Sequence, residues 1–350
     1  MTEENYLQWL ARATPTRWWH DSGDIRELDR AIGHGASGVT TNPVLIAAAL
    51  QSSGAAWRDA VDAVFADGGL SAAARAERLT GIVVGHAAGR LRPVFDRSGG
   101  RDGYVCAQVH PGLASDREAM IAAARRFHGL APNVTVKLPA TAAGLDAMER
   151  CVDAGIPVTL TVSFTVAQVL AVAERYERAA ERARGAGRAP LPCVAVIMIG
   201  RLDDYLRDMA ADQGAAVSEA DIRQAGLAVV KRAYRACAER RAGAALCVAA
   251  LRGTHHMTGL AGARLIMSVH PRYQNELLAP GVPREEGIAQ PVPEETIRRL
   301  LTIPEFVRAY EPDGLRPDEF LPYGVTQRTL TQFVESGWSL VERYRPPWRG

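Results

Sequence analysis

Cysteine is scarce in this chain. Five residues, Cys106, Cys151, Cys193, Cys237 and Cys247, lie scattered along 350 positions, and their number is odd. Such usage excludes a disulfide-framed secreted scaffold. It reads as small core residues in a reducing compartment, which means the cytoplasm. No uninterrupted apolar run approaches the ~20 residues of a membrane span. Residues 1–12 are polar and acidic at the start, and no basic segment leads into an apolar one, so no signal peptide is expected. An excess of one charge is missing too. Lys+Arg total 41 and Asp+Glu 39, a formal net charge of +2, which leaves no field to recruit nucleic acid or an anionic membrane. Arginine far outnumbers lysine, a pattern that reads as high-GC coding bias rather than as a phosphate-binding design. The chain is long enough to bury a large core in one big α/β domain or two smaller ones.

Organisation along the chain is clearer than composition. Short apolar, β-branched runs recur at residues 17–21, 38–42, 104–110, 134–138, 157–164, 193–199, 245–251 and 264–269. Helical segments lie between most of them. The clearest is 165–183, where Val166, Val169, Leu170, Val172, Ala173 and Tyr176 make one apolar stripe. Strands alternating with helices argue for a parallel sheet, and eight is the number that closes a barrel. A doubly wound open sheet is the alternative, but it usually carries a glycine-rich fingerprint after its first strand. Asp21-Ser22-Gly23-Asp24-Ile25 is not one. The expected fold is therefore a (β/α)8 TIM barrel. Two segments exceed a minimal barrel: residues 48–100 hold extra helices after the second strand, and a connector with Pro280, Pro283, Pro291 and Pro293 leads to helices near 294–310 and 326–344. Residues 1–350 read as one barrel domain, with 280–350 a C-terminal helical extension packed on it. No internal repeat beyond the βα alternation and no low-complexity tract is present.

One strand carries an unexpected charge. In Val134-Thr135-Val136-Lys137-Leu138-Pro139, Val134 and Val136 alternate with Thr135 and Lys137; Pro139 stops the strand and Thr141 starts a helix. An ammonium is costly to bury unless it is paired or its pKa falls. A neutral amine at such a position is a nucleophile toward carbonyl carbon. The bland reading is a lysine at a strand end, snorkelling to solvent.

The company Lys137 keeps decides between the two readings. Reactive groups of barrels come from the C-terminal ends of the strands. Those ends carry Asp21, Asn42, Gln108, Lys137, Thr161, Arg201 and Arg252. Each has a dull explanation alone: Asp21 a helix cap, Asn42 before Pro43 a turn, Gln108 and Thr161 partners for backbone groups. Together, one amine, one carboxylate, neutral hydrogen-bonders and two guanidinium groups suit a phosphorylated carbonyl compound. An imine on the amine, a proton-moving carboxylate and a bidentate arginine on phosphate complete that reading. The histidines show no H-x-x-x-H spacing, and adjacent His255 and His256 cannot easily ligate one ion. They read as substrate-facing groups or helix-start residues, and no metal is expected.

Four blocks carry a resemblance to a known family: His20-Asp21-Ser22-Gly23-Asp24-Ile25, Gly38-Val39-Thr40-Thr41-Asn42-Pro43-Val44-Leu45-Ile46, Val136-Lys137-Leu138-Pro139-Ala140-Thr141-Ala142-Ala143-Gly144-Leu145 and Gly200-Arg201-Leu202-Asp203-Asp204-Tyr205. The chain resembles the transaldolases and the smaller fructose-6-phosphate aldolases, in order, from about residue 17 to 270. The resemblance implies a (β/α)8 barrel with Lys137 as the Schiff-base residue and Asp21 as proton shuttle. It further implies Asn42, with Thr41 beside it, on donor hydroxyls, Gln108 and Thr161 around a catalytic water, and Arg201 and Arg252 on phosphate. The partners implied are a ketose phosphate donor and an aldehyde acceptor, as in the pentose phosphate pathway, with no cofactor; a homo-oligomer is left open. The activity implied is transfer of a dihydroxyacetone unit. The alternatives are a class I aldolase, of the fructose-6-phosphate aldolase type or a sugar aldolase of specialised metabolism, and a barrel that only binds sugar phosphate.

Departures from the family cluster at the same ends. Transaldolases place glutamate where Gln108 stands, whereas the smaller aldolases have glutamine there. Met198, taken as substrate-facing, stands where those aldolases have tyrosine and transaldolases phenylalanine, and it has no proton to give. The usual Ser-Pro of that strand is replaced by Val196-Ile197, and the serine that helps Arg252's counterpart appears as Ala250 or Leu251. Imine chemistry reads as intact, while water handling and acceptor recognition read as altered.

Overall fold

The computed structural model describes residues 4–349. Eight parallel strands close on themselves in sequence order: β1 (Arg17–His20), β2 (Gly38–Val39), β3 (Tyr104–Gln108), β4 (Val134–Pro139), β5 (Val158–Thr161), β6 (Cys193–Met198), β7 (Ala245–Ala249) and β8 (Ile266–Val269). β8 pairs back onto β1, with Ile266 beside Arg17 and Val269 beside His20. The expected (β/α)8 barrel is the observed fold.

Local chemistry explains where the flanking helices start. Asn42 caps the helix Pro43–Ser52, where Pro43 at the first position has no N–H to leave unpaired. Thr141 caps Ala142–Asp153 and Thr165 caps Val166–Gly185, each accepting a backbone N–H three residues on. The extra material after β2 is the helices Pro43–Ser52, Arg58–Ala66 and Ala72–Ser98. After β8 the chain adds Glu294–Leu300, Pro304–Tyr310, Gly324–Phe333 and a wide turn at Val334–Trp338.

The period of two along each strand decides which side chains face the barrel axis. Register puts Trp19 beside Gly38 and Ser268, Gln108 beside Lys137, and Lys137 beside Thr159. Asp21, Thr40, Asn42, Gln108, Lys137, Thr161 and Met198 then share the inward phase near the C-terminal rim. Contacts across the interior agree: Thr135 and Thr159 hydroxyls lie 3.0 Å apart, and Thr40 and Ser268 hydroxyls 2.5 Å. Gly38 has no room for a side chain, since a Cβ there would sit 2.6 Å from the Trp19 ring.

The C-terminal helices return to this rim. The Trp338 ring lies 4.6 Å from that of His110, in the β3 loop, and Phe333 lies under the Arg201 guanidinium. A Cβ on Gly337 would meet Pro43 at 2.7 Å, so glycine lets this segment lie directly on the helix that follows β2.

Candidate active site

Lys137 is buried at 4% exposure, and its Nζ is 3.4 Å from the Thr41 carbonyl oxygen. No carboxylate lies within ion-pair distance of it among the described residues. The strand therefore delivers an amine into the barrel interior and leaves it unpaired, against the snorkelling reading. Cys106, on the adjacent strand, has its thiol pushed up to about 11 by burial, partly offset by the nearby Lys137 charge. It stays a neutral thiol and supplies no counter-charge.

Asp21 directly follows β1, and its Oδ1 accepts the Thr40 hydroxyl at 2.7 Å. With the Thr40 proton committed there, Ser268 must donate to Thr40, so two buried hydroxyls orient the carboxylate. The dull explanation for Asp21 does not hold, because Asp24 caps the next helix. For Asn42 both explanations hold at once. Its Oδ1 accepts Val44 and Leu45 N–H at 3.0 and 3.1 Å, while its Nδ2 has no partner among the described residues. Thr41 points the other way: its hydroxyl donates to the Cys106 carbonyl at 2.7 Å, and only its own carbonyl reaches Lys137.

Gln108 ends β3 and Thr161 ends β5, on either side of β4. Gln108 Oε1 and Thr161 Oγ1 are both buried without a hydrogen-bond partner. Orphaned polar atoms flanking a buried amine are where a water or a substrate hydroxyl gains most. Met198 ends β6, buried, and offers a thioether.

Arg201 and Arg252 lie beyond the strands rather than at their last residues. Arg201 is in the first turn of the helix Ile199–Gln213, because the strand ends at Met198 and the helix begins at once. Its guanidinium sits 5.0 Å above the Phe333 ring and donates to the Gln332 side-chain oxygen. Burial, then the neighbouring Arg252 charge, pull its pKa down to about 10, against the pull of Asp204 and Asp21. It remains a cation at neutral pH, and its hydrogen-bond partner is a neutral amide. Arg252 is differently held: Nε and Nη2 both engage Asp204 Oδ2, at 2.8 and 2.7 Å, and Nη1 donates to the Ala250 carbonyl at 2.8 Å. Of the two, Arg201 is the one open to an anion.

Several contributors were not legible in the sequence. Thr40 lies within a family-like block without a role assigned to it, and Ser268 shows no motif beyond alternation. Gln168, fully buried in the helix after β5, accepts Phe164 N–H at 2.9 Å and donates to the carbonyls of Ala140 at 3.1 Å and Val162 at 3.3 Å. It ties the loop after β4 to the loop after β5, where Val162 holds φ at 54°. That conformation is costly for a β-branched residue. The available signal was a glutamine within an apolar helical stripe, three residues after a threonine cap. His255 and His256 both fall in the short helix Thr254–Thr258, as helix-start residues; His256 is fully buried rather than substrate-facing.

A closed parallel barrel with a buried amine and an oriented carboxylate at its C-terminal rim is the layout of a (β/α)8 enzyme. The family described as Transaldolase/Fructose-6-phosphate aldolase matches residues 18–319, and the chain belongs to it as a transaldolase-like enzyme. It is 36% identical to Transaldolase 1 of Streptomyces avermitilis over 289 residues, 80% of this chain and 75% of that protein. Transaldolase 1 of Streptomyces coelicolor is 34% identical over 269 residues, 74% and 67% of the two chains. Transaldolase of Thiobacillus denitrificans is 31% identical over 299 residues, 83% and 82%. No helix among the described residues is long and apolar enough to cross a membrane.

Proposed function

We propose that this enzyme moves a three-carbon dihydroxyacetone unit from a ketose phosphate to an aldehyde acceptor through an imine on Lys137. The observation that carries the proposal is the buried amine of Lys137, without a carboxylate partner, on a strand whose two neighbours end in the orphaned Gln108 and Thr161 oxygens. In its neutral form Nζ attacks the ketose carbonyl carbon, and loss of water leaves a protonated imine. Asp21 then takes the proton of the hydroxyl on the far carbon of the bond to be broken. That carbon–carbon bond cleaves, its electron pair enters the imine, and the product aldehyde departs, leaving an enamine on Lys137. An acceptor aldehyde takes the enamine's electrons as the new bond forms, and Asp21 returns its proton to the nascent hydroxyl. Water on Gln108 and Thr161 finally hydrolyses the imine.

Asn42 Nδ2 is suited to donate to the donor's hydroxyls, and Arg201 to hold a phosphate at the far end, with Arg252 adding positive field while fixed by Asp204. The position of Thr41 supports a backbone role toward Lys137 in place of a hydroxyl contact to substrate. Met198 favours transfer over release, since a thioether cannot protonate the enamine. Gln108 favours the second reading, a class I aldolase, because the smaller aldolases of the family carry glutamine at that position. The reading needs neither metal nor organic cofactor, and it places the enzyme in the cytoplasm, in sugar phosphate interconversion of the pentose phosphate type. The C-terminal helices from about 280 are part of the same barrel unit in this proposal, supported by their contacts with Arg201, His110 and Pro43.

The test is to incubate the enzyme with fructose 6-phosphate, with and without an aldose phosphate acceptor, and to identify products by mass. Transfer predicts dihydroxyacetone release that is slow alone and displaced by a new ketose phosphate when acceptor is present. Equal release in both arms reverses the ranking and makes this an aldolase; no product in either arm rejects both readings.

A further inference from the structure

Behind the two arginines lies a buried pair that the mechanism above does not use. Asp203, two residues after Arg201, is 2% exposed, and His256 is fully buried. His256 Nε2 is 3.0 Å from Asp203 Oδ2, a close contact although it falls short of a straight hydrogen bond. The other Asp203 oxygen accepts the Gly226 N–H at 2.8 Å, from the helix Glu219–Glu239. The other imidazole nitrogen, Nδ1, accepts the backbone N–H of Arg252 at 3.2 Å. That last bond fixes the tautomer, because Nδ1 can accept only when it carries no proton. The imidazole is then neutral, with its proton on Nε2, facing the carboxylate.

The pair therefore links three separate pieces of chain: the start of the helix that carries Arg201 and Asp204, the helix Glu219–Glu239, and the backbone of Arg252 itself. Two glycines show how closely these pieces approach. A Cβ on Gly200 would strike the Ala250 carbonyl and the Arg252 side chain, and one on Gly226 would strike Ile199 and Asp203. Ala250, two residues before Arg252, holds a positive φ of 56°, so the loop is bent into a form that needs external support. A carboxylate and an imidazole shut inside this contact cost free energy that an apolar pair would not.

We propose that Asp203 and His256 are positioning residues that set the spacing of Arg201 and Arg252, and so give the site its selectivity for a phosphate-bearing substrate. This rests on the reading of that pair of arginines as the anion-binding end of the site. Neither residue touches the reacting atoms. His256 acts through the Arg252 backbone N–H, and Asp203 by fixing the start of the helix that carries Arg201.

The experiment compares half-saturating concentrations for borohydride trapping on Lys137, with fructose 6-phosphate and with unphosphorylated dihydroxyacetone. His256→Leu removes both contacts. His256→Asn keeps an acceptor near the position of Nδ1, and His256→Gln a donor near that of Nε2. In His256→Leu the concentration for fructose 6-phosphate should rise by about tenfold or more, as expected when a bidentate contact is misplaced, while that for dihydroxyacetone stays within about twofold. His256→Asn should recover part of the difference, because it retains the bond to Arg252. If His256→Leu does not fold, the Asn and Gln variants carry the test, and both must differ from wild type for the phosphorylated ligand alone. An equal loss for both ligands, or no loss for either in the folded variants, overturns the inference. Arg201→Ala and Arg252→Ala run alongside. If they leave the preference for the phosphorylated ligand unchanged, the anion reading itself is wrong; if they abolish it and the His256 variants do not, only the positioning role falls.

Discussion

Replacing Gln168 by leucine tests how far the rim is held by a residue that touches no substrate. The side chain is fully buried and close in shape to leucine, so the change removes polarity more than volume. It leaves the Phe164 N–H and the Ala140 and Val162 carbonyls without their side-chain partner. At about 1 kcal/mol for each buried group left unsatisfied, the low end of the usual range, the loss is about 3 kcal/mol. A chain of this length unfolds with an entropy of roughly 0.7 kcal/mol/K, so the thermal midpoint should fall by about 4 °C. The second consequence is local. Val162 keeps its left-handed backbone against a cost of about 1–3 kcal/mol, and once its carbonyl is released the loop after Thr161 can relax. Thr161 Oγ1 then leaves its place at the end of the strand next to that of Lys137, and imine formation should slow more than substrate affinity falls. Scanning calorimetry and the rate of borohydride trapping give the two readouts. A Gln168→Leu protein that melts within about 1 °C of wild type and traps at the wild-type rate would refute the reasoning.

Other predictions are shorter. Borohydride with a ketose donor should add a three-carbon unit to the peptide holding Lys137, and since the chain has only one other lysine, Lys231, labelling there or nowhere would end the imine mechanism. Asp21→Asn should keep the Thr40 contact yet slow carbon–carbon cleavage by about 10²–10⁴-fold while the trapped adduct still forms; near-normal turnover removes Asp21 from the site. Met198→Tyr should raise dihydroxyacetone release without acceptor relative to transfer, and an unchanged ratio in steady-state assays would show that enamine protonation is not governed there. Activity should survive exhaustive chelation, and a reproducible loss that zinc restores would contradict imine catalysis.

How much of this was legible beforehand follows from the range of each interaction. The eight strands and the inward phase of Lys137 and Gln108 are readable because alternation is local, repeating every two residues. Thr41 illustrates the same rule in reverse. It adjoins Asn42 in sequence, yet the odd phase sends its hydroxyl to a strand carbonyl and away from the interior. Arg201 was displaced from strand end to helix because Met198 and Ile199 are both apolar, and composition gives no boundary between them. The pairing of Asp203 with His256 was beyond reach, since it exists only once β6 and β7 are neighbours in a closed barrel. The occupation of Arg252 by Asp204 has the same origin.

The shortage of lysine has a consequence for a protein that handles sugars. Lys137 and Lys231 are both buried, and Lys231 Nζ is held by the carbonyls of Gly287 and Gln290. Open-chain aldoses condense with any accessible amine, slowly and without guidance. A surface whose lysines have all become arginines offers such sugars almost nothing to attach to, since guanidinium stays protonated and is a poor nucleophile. In a pool of open-chain aldoses its lysine side chains then stay unmarked, except at the one amine where a covalent adduct is the purpose.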